Sequence, residues 1–290
     1  MNLKKLGRTN LKVSEIGLGT EFLFRQPREV AKSVISKAIE NGINYFDVLF
    51  SVKQYLEKLA PVLKEHRENI IITGHIGTVE NTEGRPKKTR NLKECSEEFL
   101  KILKILNIDY VDVINIQFVR ENEFDKIMQK EGLYDLATSF VDQGKARFIG
   151  LSTHETQVIE KAANSKKFDI IMFPLNIINH NLEGRTEALA LIKKNNIGLV
   201  AIKPFAAGNL LQYNRTVSFA KYQTGGISLK KKNPRDISPS KCLNYVTSIP
   251  EVSTVLMGVK NEEELSQNLG YSLNKENEQD FTELIKQYQI

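Results

Sequence analysis

A carboxylate at Asp47 and an imidazole at His75 each close a short apolar run, Asn44–Val48 and Asn69–Ile76. An acid and an imidazole brought together at two strand ends exchange protons near neutral pH. The other apolar runs close on Gly19 and Thr20, on Gln117, on Ser152 and Thr153 followed by His154, on Lys203, Pro204 and Phe205, and on Gly258, Val259 and Lys260. These residues offer amides and hydroxyls to orient a carbonyl and an ammonium to draw an anion. Gly258, Val259 and Lys260 also open a helix whose N-terminal amides suit a phosphate. Tyr55, one helical turn beyond Val52, offers a phenol to the mouth formed by these strand ends, with a partly buried aromatic as the plainer alternative.

Each candidate has a purely structural alternative. His154 would serve equally as the cap of the helix that follows; Asp47 has the same alternative, but its strand-end place beside His75 favours the site. His180 faces either the site or a surface loop, and His66, among Lys64, Glu65 and Arg67, reads as exposed. The four histidines and two cysteines form no ligand-spaced pair, so no metal is expected.

These residues need elements to hold them. Eight runs dense in Ile, Val, Leu and Phe lack alternation, which suits strands buried on both faces. They are Glu15–Gly19, Asn44–Val48, Asn69–Ile76, Tyr110–Gln117, Phe148–Ser152, Asp169–Pro174, Gly198–Ile202 and Val252–Gly258. Amphipathic stretches lie between them at Arg28–Glu40, Leu92–Leu106, Glu121–Gly144, Gln157–Asn164 and Glu187–Lys194. Eight strand–helix units predict an α/β fold, a single (β/α)8 TIM barrel over residues 1–290, with the site at the C-terminal strand ends. A doubly wound sheet is disfavoured because Gly17-Leu18-Gly19 is followed by Thr20-Glu21-Phe22, not by a Gly-rich phosphate turn. Leu3–Val13 reads as an N-terminal β-hairpin turning at Gly7–Asn10. The polar stretch from Leu211 to Pro239 is long for a connection, and the tail from Asn274 reads as a helix ending at Leu284 and Ile285.

Composition sets outer limits. The 290 residues are 41% hydrophobic and 26% charged, which excludes a disordered chain. No apolar run approaches the roughly 18 residues that span a bilayer, and the start lacks a signal-peptide core, so no membrane partner is expected. Two cysteines, Cys95 and Cys242, fit a reducing cytoplasm. The net charge of +6 comes from clusters such as Lys87-Lys88 and Lys230–Lys232, scattered and without base-stacking aromatics. No nucleic acid is expected as a partner; an anionic small molecule is.

Several segments carry a family resemblance. Leu6-Gly-Arg-Thr-Asn-Leu-Lys-Val-Ser-Glu-Ile-Gly-Leu-Gly-Thr20 resembles the N-terminal hairpin and first strand of aldo-keto reductases. Gly42-Ile-Asn-Tyr-Phe-Asp47 is similar to their second strand, Asp109-Tyr-Val-Asp-Val113 to the fourth, and Gly144-Lys-Ala-Arg-Phe-Ile-Gly-Leu-Ser152 to the approach to the fifth. Met257-Gly-Val-Lys-Asn-Glu-Glu-Glu-Leu-Ser-Gln-Asn268 resembles the segment that holds the cofactor's adenosine phosphate. Ser152-Thr-His154 and Val200-Ala-Ile-Lys-Pro-Phe-Ala-Ala-Gly208 resemble the branch with ferredoxin-fused members, but two cysteines cannot build their cluster.

The resemblance implies hydride transfer to a carbonyl, with a Tyr giving the proton and an Asp, a Lys and a His around it. Asp47 matches the Asp. Val52 stands at the Tyr position, His75 at the Lys position and Gln117 at the His position. Val52 has no proton to give, so His75 with Asp47, and Tyr55 beside them, become the candidates for acid–base work. Carried over the same way, Ser152 contacts the nicotinamide carboxamide, with Thr153 and Met172 where Asn and Gln are common. Lys203, Pro204 and Phe205 lie along the pyrophosphate, and Gly258, Val259 and Lys260 meet the adenosine phosphate. Glu264 replaces an Arg or Gln, and Asn268 keeps the adenine-side amide. NADP(H) is expected ahead of NAD(H). Three readings stay open: an oxidoreductase acting on a small carbonyl or sugar-like substrate, a non-catalytic ligand-binding barrel, and a non-redox epimerase or lyase.

Overall fold

The computed structural model describes residues 1–218, 230–233, 235, 237–272 and 281–288. Eight parallel strands close a barrel: β1 (Ile16–Gly19), β2 (Tyr45–Val48), β3 (Ile71–Ile76), β4 (Val111–Val119), β5 (Ala146–Thr153), β6 (Ile170–Pro174), β7 (Gly198–Ile202) and β8 (Val252–Gly258). Each strand pairs with its neighbours in sequence, and β8 pairs with β1 to complete the ring. Around it lie α1 (Arg28–Glu40), α2 (Lys53–Glu65), α3 (Leu92–Leu106), α4 (Glu121–Met128), α5 (Leu133–Asp142), α6 (Thr156–Ser165), α7 (Arg185–Lys194), α8 (Pro239–Thr247), α9 (Glu262–Leu269) and α10 (Thr282–Lys286). Among the described residues no helix is long and apolar enough to cross a membrane.

Local chemistry explains the helix limits. In α1, Ala31, Val34, Ile35 and Ala38 form the buried stripe, and Gly42, at φ +82°, stops it by donating its N–H to the Ile39 carbonyl at 2.8 Å. In α3, the Asn91 side chain caps the Glu94 N–H at 3.0 Å, and Asn107 ends the helix in the left-handed region. The stretch Glu121–Gly144, expected as one helix, is two. A Cβ on Gly132 would lie 2.5 Å from the Ile127 carbonyl oxygen, and Glu131 turns to φ +59°, so the helix is interrupted between α4 and α5.

The apolar side chains sort into two layers. Alternate residues such as Phe46, Ile72, Ile114 and Leu199 join the helices in the larger cluster. Tyr45, Ile71, Val113, Ile170, Met172, Val200 and Leu256 fill the barrel's interior. Beneath them the antiparallel pair Leu3–Lys5 and Lys12–Ser14 closes the floor with Leu6, Leu11 and Val13. Gly7 at φ +50° packs so closely that a Cβ there would lie 2.2 Å from the Gly198 amide nitrogen. A second antiparallel pair, Thr78–Glu80 with Pro86–Lys88, follows β3, and a third joins Thr216–Ser218 to Lys230–Lys232. The predicted tail helix is α10; the part of that tail from 274 to 280, and residues 219–229 of the long polar stretch, lie outside the described residues.

Candidate active site at the barrel mouth

The same alternation that fills the interior decides what reaches the mouth. Asp47 follows Tyr45 on the inner face of β2, His75 follows Thr73 on β3, and Gln117 follows Asn115 on β4. Neighbouring strands climb in register, with Gly19 beside Asp47, Asp47 beside Thr73, His75 beside Asn115 and Asn115 beside Gly150. Polar groups thereby replace apolar ones step by step toward the C-terminal end. At the lowest step the Tyr45 hydroxyl and Thr73 Oγ1 share a 2.6 Å hydrogen bond.

Above it runs a chain of three side chains. Asp47 Oδ1 lies 2.6 Å from His75 Nε2, and the Asn115 amide nitrogen lies 3.1 Å from His75 Nδ1. An amide N–H donating to Nδ1 leaves the ring proton on Nε2, where it points at the carboxylate. Asn115 Oδ1 is buried without a partner, in space that only a glycine at 150 leaves open: a Cβ there would lie 2.8 Å from it. Leaving such an acceptor unpaired costs about 1–3 kcal/mol, a local sacrifice of stability. Gln117 Nε2 donates to the Leu49 carbonyl at 3.3 Å, and its Oε1 is likewise buried and unpartnered.

Charge and hydroxyls surround this chain. Glu21, just after β1, is raised above the usual carboxyl range, chiefly by desolvation; Lys203 pulls it down and Asp47 pushes it up. Lys203 Nζ lies 3.3 Å from His154 Nε2, and the Lys203 backbone sits at φ +56° with its carbonyl accepting from Asn176 at 3.1 Å. Ser152 Oγ accepts the Phe118 N–H at 2.9 Å and keeps its own proton to donate. Thr153, in contrast, is engaged within the chain: it donates to the Val119 carbonyl at 2.8 Å and accepts the Glu155 N–H at 3.1 Å.

The remaining candidates divide. Met172 is buried inside the barrel in register with Ser152 and Val200. Pro204 and Phe205 are buried beside the strained turn that continues through Ala206, Ala207 and Gly208, all at positive φ. Tyr55 is fully buried; its phenol bonds Thr20 Oγ1 and accepts the Leu49 N–H at 3.2 Å. Burial first, against the Thr20 hydrogen bond, pushes that phenol far above its ordinary range, so it holds its proton. Val52 is buried at the N-cap of α2. His180 is drawn to Tyr245 at 2.7 Å, and burial, then Arg185, lowers its basicity.

At the start of α9, Glu264 Oε2 accepts the Lys260 N–H at 2.8 Å, and Asn261 caps the Glu264 N–H at 2.8 Å. Val259 and Asn268 are buried. Phe22 lies over Gly258, where a Cβ would come within 2.4 Å of its ring. Asn115, Thr73, Glu21 and Phe22 escaped the sequence reading. For Asn115 the signal was present: two residues before Gln117 on one strand means the same face.

The profile of the aldo/keto reductase family matches residues 15–288, and the chain belongs to that family of oxidoreductases. An uncharacterized oxidoreductase, YqkF, of Bacillus subtilis is 26% identical over 93% of this chain and 90% of its own length. L-galactose dehydrogenase of Arabidopsis thaliana is 22% identical over 93% of this chain and 87% of its own. Among solved structures, the aldo-keto reductase AKR11C1 of Bacillus halodurans superposes with a TM-score of 0.77 at 20% identity, covering 99% of this chain and 95% of its own.

Proposed function

We propose that this barrel binds a nicotinamide dinucleotide and interconverts a small carbonyl compound and its alcohol, with the proton handled by the Asp47–His75 pair. The observation that carries the reading is that pair, 2.6 Å apart at two adjacent strand ends of a barrel from this family. Family members generally use NAD(P)H, and the bound nicotinamide supplies or accepts the hydride.

The residues present fit such a group. The unpartnered Gln117 Oε1 and the Ser152 hydroxyl offer one acceptor and one donor to an amide or hydroxyl in the mouth. The Val52, His75 and Gln117 replacements leave Asp47 and His75 as the buried acid–base pair, while Gln117 orients without carrying charge. The likeness to L-galactose dehydrogenase supports a sugar-like alcohol among the substrates. Family habit and Lys260 favour NADP(H); the Glu264 carboxylate, already on the Lys260 amide, supports NAD(H) instead.

Fluorescence titration with NADH and NADPH tests binding, and turnover on a panel of aldehydes, ketones and polyols tests chemistry. Quenching by one nucleotide and oxidation or reduction of a panel member is the expected result. Failure of both nucleotides to bind defeats the reading.

A further inference from the structure

The order of the three side chains in the mouth has a consequence for which of them meets the substrate. The His75 side chain is 1% exposed and that of Asp47 9%. Both ring nitrogens of His75 are occupied, Nε2 by Asp47 and Nδ1 by Asn115. Asp47 uses only Oδ1 in this chain; among the described residues Oδ2 has no hydrogen bond. The imidazole therefore stands behind the acid, and the carboxylate faces the mouth.

We propose that Asp47 Oδ2 is the proton acceptor of the reaction, with Asp47 Oδ1 held by the Nε2–H of a His75 that Asn115 fixes in that tautomer. This rests on the oxidoreductase reading above. As a proton acceptor Asp47 serves the direction in which a carbinol is oxidised by an oxidised nicotinamide dinucleotide. The substrate's O–H proton passes to Asp47 Oδ2. The C–H electron pair would leave as hydride to a bound oxidised nicotinamide while the carbon–oxygen double bond forms. One alcohol is oxidised by two electrons, one nucleotide is reduced, and the proton returns to solvent from Asp47.

His75 is a positioning residue in this scheme. Its Nε2–H holds one carboxylate oxygen so that the other faces outward. These groups surround Asp47. His75 and Asn115 approach from β3 and β4, Tyr45 lies below on β2, and Tyr55 comes from α2. Glu21 repels it from the segment after β1, and Lys203, which acts on Glu21, brings positive charge from the end of β7.

Ring-nitrogen NMR of the whole protein labelled with 15N-histidine, with His75 assigned by its absence in His75→Gln, reads the arrangement without any turnover. At pH 7 the expected spectrum has one protonated and one bare nitrogen on His75, the bare one being Nδ1. Asn115→Asp, isosteric but accepting, is expected to make both nitrogens protonated. A doubly protonated His75 in the unaltered protein, or a bare Nε2, overturns the proposal.

Kinetics supply the second arm. Asp47→Asn is expected to cut kcat for alcohol oxidation by about 10²-fold or more, the scale of a lost general base, with nucleotide affinity unchanged. His75→Gln, which keeps an N–H toward Asp47, is expected to retain far more kcat than His75→Leu, with KM alike in both. An Asp47→Asn protein as active as the parent overturns the proposal. A parent that binds no nucleotide and oxidises nothing defeats the functional reading instead, and the ring-nitrogen signals still decide how Asp47, His75 and Asn115 are arranged.

Discussion

The Glu264 carboxylate accepts the Lys260 backbone N–H at 2.8 Å, so the first turn of α9 carries its own anion. A phosphate drawn to that helix end meets a negative charge already seated there. Glu264→Gln is expected to raise NADPH affinity relative to NADH by about tenfold, or ~1.4 kcal/mol. Paired fluorescence titrations check it; an unchanged ratio means the adenosine end lies elsewhere.

Tyr55 is expected to be a structural residue. Its hydroxyl joins Thr20 on β1's exit to the Leu49 amide on β2's exit, fully buried. Tyr55→Phe leaves that amide unpaired, at a cost of about 1–3 kcal/mol. Thermal melting should fall, while kcat should drop far less than the roughly 10²-fold that losing a proton donor brings. A catalytic collapse with melting unchanged would return the phenol to the chemistry.

Glu123 gives a signature in acid. Desolvation alone would raise its carboxyl, but hydrogen bonds from Arg90 and Lys88 hold it at about 2. Arg90 also donates to the Gln117 and Phe118 carbonyls, so this cluster braces the end of β4. A depressed pKa contributes stability that is present above the unfolded value of about 4.3 and lost as pH falls toward 2. Glu123→Gln should therefore melt below the parent at pH 7, and the two melting points should converge in acid.

The floor of the barrel is the least forgiving place. Gly7 combines φ +50° with a Cβ position 2.2 Å from the Gly198 nitrogen, and backbone cannot move aside as a side chain does. Gly7→Ala is expected to cost on the order of 3 kcal/mol, read by denaturant unfolding. Gly144→Ala is the control: it too has positive φ, but its Cβ would meet nothing within 4 Å, so its loss should be smaller.

The strands were legible because buried parallel strands declare themselves as unbroken apolar runs, and β6, β7 and β8 keep their upper limits as read. The candidates Asp47, His75, Gln117 and Ser152 followed from strand ends alone, and all four lie at the mouth. The break between α4 and α5 was hidden, since apolar spacing continues across Gly132 while its backbone clash is set by the folded chain. Asn115 lies inside its strand rather than at the end, although its face is fixed by its spacing from Gln117.

By itself the sequence determined the eight-strand barrel and which residue types stand at its mouth, because both follow from periodicity and order along the chain. Only the tertiary structure decided their partners. Asp47 meets His75 across 28 residues and His75 meets Asn115 across 40. Which oxygen faces outward, which ring nitrogen is bare and where the Tyr55 phenol is spent depend on strand register and barrel closure. Those distances are set in space, and no local pattern in the chain encodes them.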